Sequence, residues 1–134
     1  MTNQNLDNLR HSCAHLLAAA VVDLYPHALR TIGPAIENGF YYDFDNLKIS
    51  DADLPQIESK MHEISKSWSD FTGREISAEE AKKLYYKNPY KLELIDEFSS
   101  EGQKLTLYKS GDYEDLCRGG HIDHPDKQLN HFKL

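Results

Sequence analysis

Cysteine is scarce in this chain of 134 residues, which contains only Cys13 and Cys117. Two cysteines are too few to suggest a disulfide framework, so we expect a reducing, cytoplasmic environment. Long apolar runs are also missing: no stretch approaches the roughly 18 residues of a membrane-spanning helix, and the polar start of the chain has no apolar signal-peptide core. We therefore expect no membrane partner and one domain that forms its core without disulfides or metal.

Positive charge is in short supply as well. The chain has 15 lysines and arginines against 22 aspartates and glutamates, which gives a formal net charge of −7. Affinity for nucleic acid comes mainly from lysine and arginine side chains that displace counterions from phosphates. Strong binding of nucleic acid by the chain alone is therefore not expected, and any RNA that it handles must be delivered to it and contacted locally.

Apolar residues that recur with a period near 3.6 predict four helices, over Leu6–Tyr25, Asp53–Trp68, Ser77–Tyr86 and Tyr90–Phe98. Aromatic and β-branched residues between turn signals predict the strands: two short ones within Arg30–Asp45, then Phe71–Ile76, Leu105–Tyr108 and Tyr113–Cys117. Helices and hairpins follow one another without regular βαβ alternation. The order favours an α+β fold, a single domain with helices packed on a largely antiparallel β-sheet.

Two spaced pairs of side chains could carry chemistry. His11 and His15 are four residues apart in a predicted helix, so both rings project from one face. Cys117 and His121 form the second pair, and the two glycines between them allow a tight backbone path. Each pair alone is better explained without a function, the first as two helix-surface histidines and the second as a buried structural cysteine followed by a loop histidine. Together the four groups could coordinate zinc tetrahedrally, or hold and polarise a water and a carbonyl without a metal.

The neighbours of these pairs are less distinctive. Asp115 lies two residues before Cys117, so on a strand it would share that residue's face and could orient an imidazole or a substrate ammonium. An ordinary surface carboxylate is the simpler interpretation. Composition gives no reason to select Lys91, and Tyr42 is typical of core or edge aromatics. Cys13 points away from the histidine face and is predicted to pack in the core.

Several ordered motifs resemble the editing domain of threonyl-tRNA synthetases. They are His11-Ser12-Cys13-Ala14-His15-Leu16-Leu17, Thr31-Ile32-Gly33-Pro34, Gly39-Phe40-Tyr41-Tyr42-Asp43-Phe44, Tyr90-Lys91, Asp115-Leu116-Cys117-Arg118-Gly119-Gly120-His121 and His131-Phe132-Lys133-Leu134. The resemblance covers the chain from Leu9 to its end. One departure is Gly120, which stands where the family usually has a proline and which loosens the loop that carries His121.

The resemblance implies an editing cleft that removes serine wrongly attached to threonine tRNA. Its catalytic residues would be His11, His15, Lys91, Asp115, Cys117 and His121, and its substrate-binding residues Tyr42, Lys91 and Asp115. Either His11 or His121 would organise the attacking water, and Asp115 would hold the serine ammonium or hydroxyl. Lys91 would contact the terminal ribose or phosphate as a solvated side chain, so that replacing it should impair the reaction with little effect on folding.

The resemblance also implies partners and cofactors. Residues 1–134 would be the editing domain, truncated before the catalytic core of a homodimeric parent enzyme, with a free-standing editing protein as the alternative. The partners would be the serine-carrying 3′ end of tRNA(Thr) and the remaining domains of the parent. ATP and zinc would be needed only by the parent's catalytic core, although His11, His15, Cys117 and His121 could hold zinc here. The rival functions are a zinc-dependent deacylase of the alanyl-tRNA type and a non-catalytic, zinc-stabilised module.

Overall fold

A long first helix organises the fold in a computed structural model that describes residues 3–31, 35–36, 39–102, 105–116, 129 and 132–134. This helix, α1, spans Asn3–Leu24 and is close to the predicted Leu6–Tyr25. Ala14, Ala18 and Ala20 are completely buried along it. Small side chains let neighbouring elements approach the helix axis closely, so α1 packs against both the following helix and the short strands.

Four two-residue strands follow α1 where the sequence predicts two. Strand β1 (Leu29–Arg30) pairs antiparallel with β4 (Phe44–Asp45), and β2 (Ala35–Ile36) pairs antiparallel with β3 (Gly39–Phe40). The inner hairpin therefore interrupts the outer one. The predicted short strands and turn are present in this region, but the number of strands differs. Strands of two residues are too short to show an alternating apolar pattern in the sequence.

The second long helix, α2, spans Leu54–Ser65 and follows a single 3₁₀ turn at Asp51–Asp53. It ends three residues before the predicted Trp68. Trp68 instead lies in a turn, where its backbone N–H donates to the carbonyl of Ser65 at 3.2 Å, and its side chain is only 1% exposed. The indole thus reaches the core beside α1 and α2 from outside the helix.

A three-stranded antiparallel sheet forms the other part of the fold. Its order is β5 (Thr72–Ile76), β6 (Leu105–Ser110) and β7 (Tyr113–Leu116). The turn between β6 and β7 contains Gly111 with a φ of +57°, a conformation that favours glycine. The strands agree with the predicted ones to within two residues.

Two helices connect β5 to β6. Ser77 caps helix α3 (Ala78–Leu84), because its hydroxyl accepts a hydrogen bond from the backbone N–H of Glu80. Asn88 caps helix α4 (Pro89–Ser100), and Ile95 of this helix packs with β6 and β7 in a second hydrophobic cluster. Helices packed with antiparallel sheets confirm the predicted α+β class. In the described part of the chain, no helix is long and apolar enough to cross a membrane.

Candidate functional site

A buried carboxylate, that of Asp115, lies at the centre of a polar cluster. Side chains two residues apart share one face of a strand, which places Tyr113 beside Asp115 on β7. The Tyr113 hydroxyl donates to Oδ2 of Asp115 at 3.0 Å, and the Tyr42 hydroxyl donates to the same oxygen at 2.6 Å. Asp115 is only 1% exposed. A carboxylate so deeply buried must be compensated by neighbouring charges and donors.

Two cations supply that compensation. Nζ of Lys91 lies 2.9 Å from Oδ1 of Asp115 and donates to the Tyr42 hydroxyl at 3.0 Å. The guanidinium of Arg30 lies 3.5 Å from the same Oδ1. Burial alone would raise the pKa of Asp115, but Lys91 and then Arg30 outweigh it and hold that pKa well below its usual range. Asp115 is therefore ionised throughout the neutral range.

Lys91 is not the solvated lysine that the sequence suggests. Only 2% of it is exposed, and it lies in the first turn of α4 rather than on an open surface. Its backbone N–H donates to Oδ1 of Asn88 at 3.2 Å, which fixes the start of the helix. The premise of a solvated Lys91 is therefore wrong. Because removal of one partner of a buried ion pair leaves the other charge uncompensated, we expect substitution of Lys91 to destabilise the fold.

Arg30 is a member of the cluster that the sequence analysis missed. Its guanidinium donates to the carbonyl of Glu114 at 2.8 Å and lies 5.7 Å from the ring centre of Tyr85 and 5.2 Å from that of Tyr113. Its own carbonyl accepts from the side-chain amide of Asn88 at 2.8 Å. Arg30 thus ties β1 to both β7 and the start of α4. No short motif marks such a residue, because all of its partners are distant in the sequence.

The two tyrosines of the cluster remain hydrogen-bond donors. Burial raises the pKa of Tyr42 and of Tyr113 well above the usual value, and the negative charge of Asp115 raises both further. Both phenols are therefore protonated at neutral pH, so they hold the carboxylate without adding negative charge. The sequence pattern predicts Tyr42 to be a core or edge aromatic; its ring is buried, and its hydroxyl belongs to the polar cluster.

The two histidines of α1 continue the cluster in a row. Nδ1 of His15 lies 3.4 Å from Oδ2 of Asp115, and Nε2 of His15 lies 3.1 Å from Nε2 of His11. The shared helix face predicted for them is confirmed. If His15 carries its proton on Nδ1, towards the carboxylate, its Nε2 accepts from Nε2–H of His11. With both imidazoles neutral, Nδ1 of His11 is then the ring nitrogen that keeps its lone pair outside this hydrogen-bonded row.

The histidines also provide a partial fit to a zinc site. Two nitrogens bound to one tetrahedral zinc are separated by roughly 3.3 Å, given Zn–N bonds of roughly 2.0–2.1 Å, and the two Nε2 atoms are 3.1 Å apart. A carboxylate beside the other ring nitrogen is the usual second partner of a metal-bound histidine. Within the described ranges, no group of three or more candidate ligands converges. Cys117 and His121, the other predicted ligands, lie outside the described residues.

Five predicted site residues therefore come together in one network, in which four are buried and His11 is half-buried. They are His11, His15, Tyr42, Lys91 and Asp115. Their catalytic and substrate-binding roles stay predictions, as does the contribution of Cys117 and His121. Cys13, predicted to be in the core, is buried there, and burial raises the pKa of its thiol to about 12.

Threonine–tRNA ligases are similar to this chain over nearly its whole length. The enzyme from Rubrobacter xylanophilus is 50% identical over 127 residues, which cover 94% of the chain and 19% of that enzyme. The enzyme from Phytoplasma australiense is 50% identical over 129 residues, which cover 94% of the chain and 20% of that enzyme. The enzyme from Dehalococcoides mccartyi is 44% identical over 131 residues, which cover 97% of the chain and 22% of that enzyme.

The chain is homologous to threonine–tRNA ligases. It spans about one fifth of the length of the curated relatives that it matches, in the N-terminal part of the threonine–tRNA ligase. No family model matches the chain. The homology confirms the resemblance of the sequence motifs to threonyl-tRNA synthetases.

Proposed function

We propose that this chain is a proofreading domain that hydrolyses the ester joining serine to tRNA(Thr). The observation that carries the proposal is the row of Asp115, His15 and His11 beside the buried ammonium of Lys91. A base, a group that orients the base and a cation that can stabilise an oxyanion are the parts that ester hydrolysis needs. Homology to threonine–tRNA ligases supplies the class of substrate.

Threonine–tRNA ligases have a physical reason for a second site. Serine differs from threonine by one methyl group, which is worth roughly 1–3 kcal/mol, or about 10–200-fold, in a binding pocket. A synthetic site shaped for threonine still admits the smaller serine. A separate hydrolytic pocket can accept the seryl ester and exclude the threonyl methyl group. The overall selectivity for threonine is then the product of the selectivities of the synthetic and the hydrolytic sites.

In the proposed reaction, a water oxygen attacks the ester carbonyl carbon. Nδ1 of His11 takes a proton from that water, while His15 and Asp115 stabilise the resulting imidazolium in the manner of a histidine–aspartate pair. The carbonyl oxygen becomes an oxyanion. When the intermediate collapses, the carbon–oxygen bond to the ribose breaks and the ribose oxygen receives the proton from His11. The products are serine and tRNA with a free terminal hydroxyl.

Lys91 is suited to stabilise that oxyanion. An ammonium has three N–H donors, and two of them are directed to Asp115 and to Tyr42. Among the described residues, no acceptor takes the third. A fixed, dehydrated donor aimed at a developing negative charge contributes more than one in water. We therefore assign this third donor to the carbonyl oxygen, in place of the ribose or phosphate contact that the resemblance implies.

Asp115 has little remaining capacity for substrate. Its two oxygens already accept from Tyr42, Tyr113, Lys91 and the backbone N–H of Leu116, and Nδ1 of His15 and the Arg30 guanidinium lie 3.4 and 3.5 Å away. These donors outnumber the roughly four lone-pair sites of a carboxylate. Binding the serine ammonium or hydroxyl would require one of these contacts to be exchanged. In our proposal the carboxylate mainly holds His15, Lys91 and the tyrosines in position.

The experiment that tests the function compares three esters. The purified chain should hydrolyse seryl-tRNA(Thr) faster than threonyl-tRNA(Thr), and slowly in absolute terms, because a domain with a net charge of −7 captures tRNA weakly. In the parent ligase other domains would hold the tRNA, so its 3′ end would reach the cleft intramolecularly. Equal hydrolysis of both esters would overturn the proofreading assignment. Preferential hydrolysis of an alanyl ester would point to the alanyl-tRNA type instead.

Replacing His11 with alanine should lower kcat for the seryl ester by about 10²–10³-fold, because general bases contribute on this scale. The matched control is His27→Ala, which removes an exposed histidine just beyond the same helix. Rates measured under single-turnover conditions would separate chemistry from product release. If His11→Ala and His27→Ala retain the same rate, His11 is not the base, and the predicted alternative, His121, takes that role.

Zinc has a specific observation in its favour, the 3.1 Å separation of the two Nε2 atoms. If bound, zinc would be held by His11 and His15, with Cys117 and His121 as predicted further ligands, and would supply Lewis-acid activation of water. Stoichiometric zinc in protein purified without added metal would support this arrangement. Zinc combined with no hydrolysis of any ester would indicate the non-catalytic, zinc-stabilised module.

A further inference from the structure

The segment from Lys82 to Lys91 differs in charge from the rest of the chain. It contains four lysines and three tyrosines and no aspartate or glutamate, although the chain as a whole carries a net charge of −7. Lysines interleaved with aromatic rings are the usual composition of surfaces that bind single-stranded nucleic acid, because the ammonium groups contact phosphates and the rings stack on bases.

The segment has an inner and an outer side. Tyr85, Asn88 and Lys91, spaced three residues apart, are buried and face the polar cluster. Tyr85 accepts from the backbone N–H of Leu116 at 3.1 Å, next to Asp115. On the outer side, Tyr86 is 67% exposed and Leu84 is 50% exposed, the two highest values among the large hydrophobic residues described. One short stretch of chain thus contributes to the candidate site and to the surface beside it.

The charges on the outer side are available to a ligand. Lys82 pairs with Asp96 at 3.1 Å, and Lys91 is committed to Asp115. Lys83 and Lys87 are exposed and form no ion pair with any residue in the described ranges. Nζ of Lys87 lies 5.4 Å from the centre of the Tyr86 ring, so a cation and an aromatic face are presented together.

We propose that Lys83, Leu84, Tyr86 and Lys87, here called the Tyr86 surface, bind the single-stranded RNA end that leads to the esterified nucleotide. The proposal rests on the proposed function and names the contact by which the substrate is guided. Tyr86 stacks on a base, and Lys83 and Lys87 contact the adjoining phosphates. Lys91 is buried and therefore cannot contact RNA phosphates outside the cleft. Binding of RNA phosphates by this acidic chain requires cations elsewhere on its surface, and the Tyr86 surface provides two.

The test compares substrates with and without an RNA strand. Seryl-adenosine has no phosphate, whereas a seryl-minihelix ending in the same single-stranded nucleotides presents bases and phosphates to the Tyr86 surface. For Tyr86→Ala/Lys87→Ala, KM for the minihelix should rise about tenfold or more, with kcat unchanged and KM for seryl-adenosine unchanged. Tyr86→Phe keeps the ring and should retain most of the affinity. The matched control, Lys48→Ala/Ile49→Ala, removes an exposed lysine and an exposed apolar neighbour elsewhere.

Two results would overturn the proposal. If KM rises equally for both substrates, the double substitution disturbs the cleft and the surface has no role of its own. If the minihelix KM matches that of the Lys48→Ala/Ile49→Ala control, the surface does not bind RNA, and a protein partner fits it instead.

Failure of the proposed function gives a different result. A wild-type chain that hydrolyses neither ester contradicts the proofreading assignment alone. Fluorescence anisotropy of a labelled minihelix without an amino acid then tests the surface independently of catalysis. Tyr86→Ala/Lys87→Ala must weaken that binding relative to wild type and to the control, and the salt dependence of binding must become shallower. Unchanged binding overturns the proposal here as well.

Discussion

Lys91→Met should unfold far more easily than the wild-type protein and should hydrolyse the seryl ester at least about 10²-fold more slowly. Methionine preserves much of the side-chain volume but removes the cation that lies 2.9 Å from Oδ1 of Asp115. Removing one partner of a buried ion pair leaves the other charge insufficiently compensated, which costs on the order of 3 kcal/mol. The loss of activity reflects the missing oxyanion donor. Urea unfolding and single-turnover deacylation would measure the two effects.

The control for this substitution is Lys66→Met, which removes an exposed lysine just after α2. Its free energy of unfolding should stay within about 0.5 kcal/mol of wild type. Lys91→Met with the stability of this control would show that Lys91 is accessible to water in solution. Loss of stability without loss of hydrolysis would separate the structural role of the ammonium from the catalytic one.

Acid unfolding gives a second measurement of the same pair. The pKa of Asp115 in the folded protein lies well below its usual range, because the nearby cations outweigh the effect of burial. Asp115 therefore stabilises the protein above the pKa of an unfolded aspartate, about 4, and this contribution is lost as pH falls through the folded pKa. Lys91→Met raises the folded pKa, so acid unfolding should begin at a higher pH than in wild type.

The elements set by local patterns could be predicted from the sequence. The apolar period of α1 and the start of a helix at Ser77 depend on residues within a few positions of each other, and both agree with the structure. The end of α2 does not follow its pattern. Trp68 continues the apolar helical spacing of α2, but it lies beyond the end of the helix. Its ring centre is 5.4 Å from that of Phe71 and 5.8 Å from that of Tyr113, so its side chain is buried by tertiary packing without being in a helix.

The candidate site divides in the same way. The shared face of His11 and His15 follows from helix geometry alone. The burial of Lys91 does not, because only a carboxylate contributed by another element makes a buried ammonium stable, and composition cannot indicate such a pairing. Arg30 was missed for the same reason: its partners Glu114 and Asn88 lie far along the chain. Sequence motifs identify the histidines and Asp115, whereas the charge balance of the cluster is visible only in three dimensions.

That charge balance gives Arg30 a testable role. Lys91 and Arg30 contribute two positive charges against the single negative charge of Asp115. Lys91, Arg30 and Asp115 together therefore carry one net positive charge. Our mechanism places the oxyanion beside these groups. If Arg30 were absent, Lys91 and Asp115 would form a neutral pair with a weaker field at the ester. Arg30 is therefore a positioning residue that acts through Asp115 and through the start of α4.

Arg30→Met should lower kcat for the seryl ester by roughly tenfold to a hundredfold with little change in KM, and should destabilise the protein by about 2 kcal/mol. Arg30→Lys restores the charge but not the planar fork that lies near Tyr85 and Tyr113, so it should recover part of kcat. The matched control is Arg74→Met, since Arg74 pairs with Glu80 on the exposed surface at 3.2 Å and such pairs contribute little.

A double-mutant cycle between Arg30→Met and Lys91→Met decides whether the two cations act through the same carboxylate. Groups that share one partner give non-additive effects, whereas independent groups add to within about 0.5 kcal/mol. We expect the second substitution to change the free energy of unfolding by an amount that depends strongly on the first, because it removes the last cation from a buried Asp115. Additive effects, or an Arg30→Met protein with unchanged kcat, would show that Arg30 supports the fold without tuning the charge of the site.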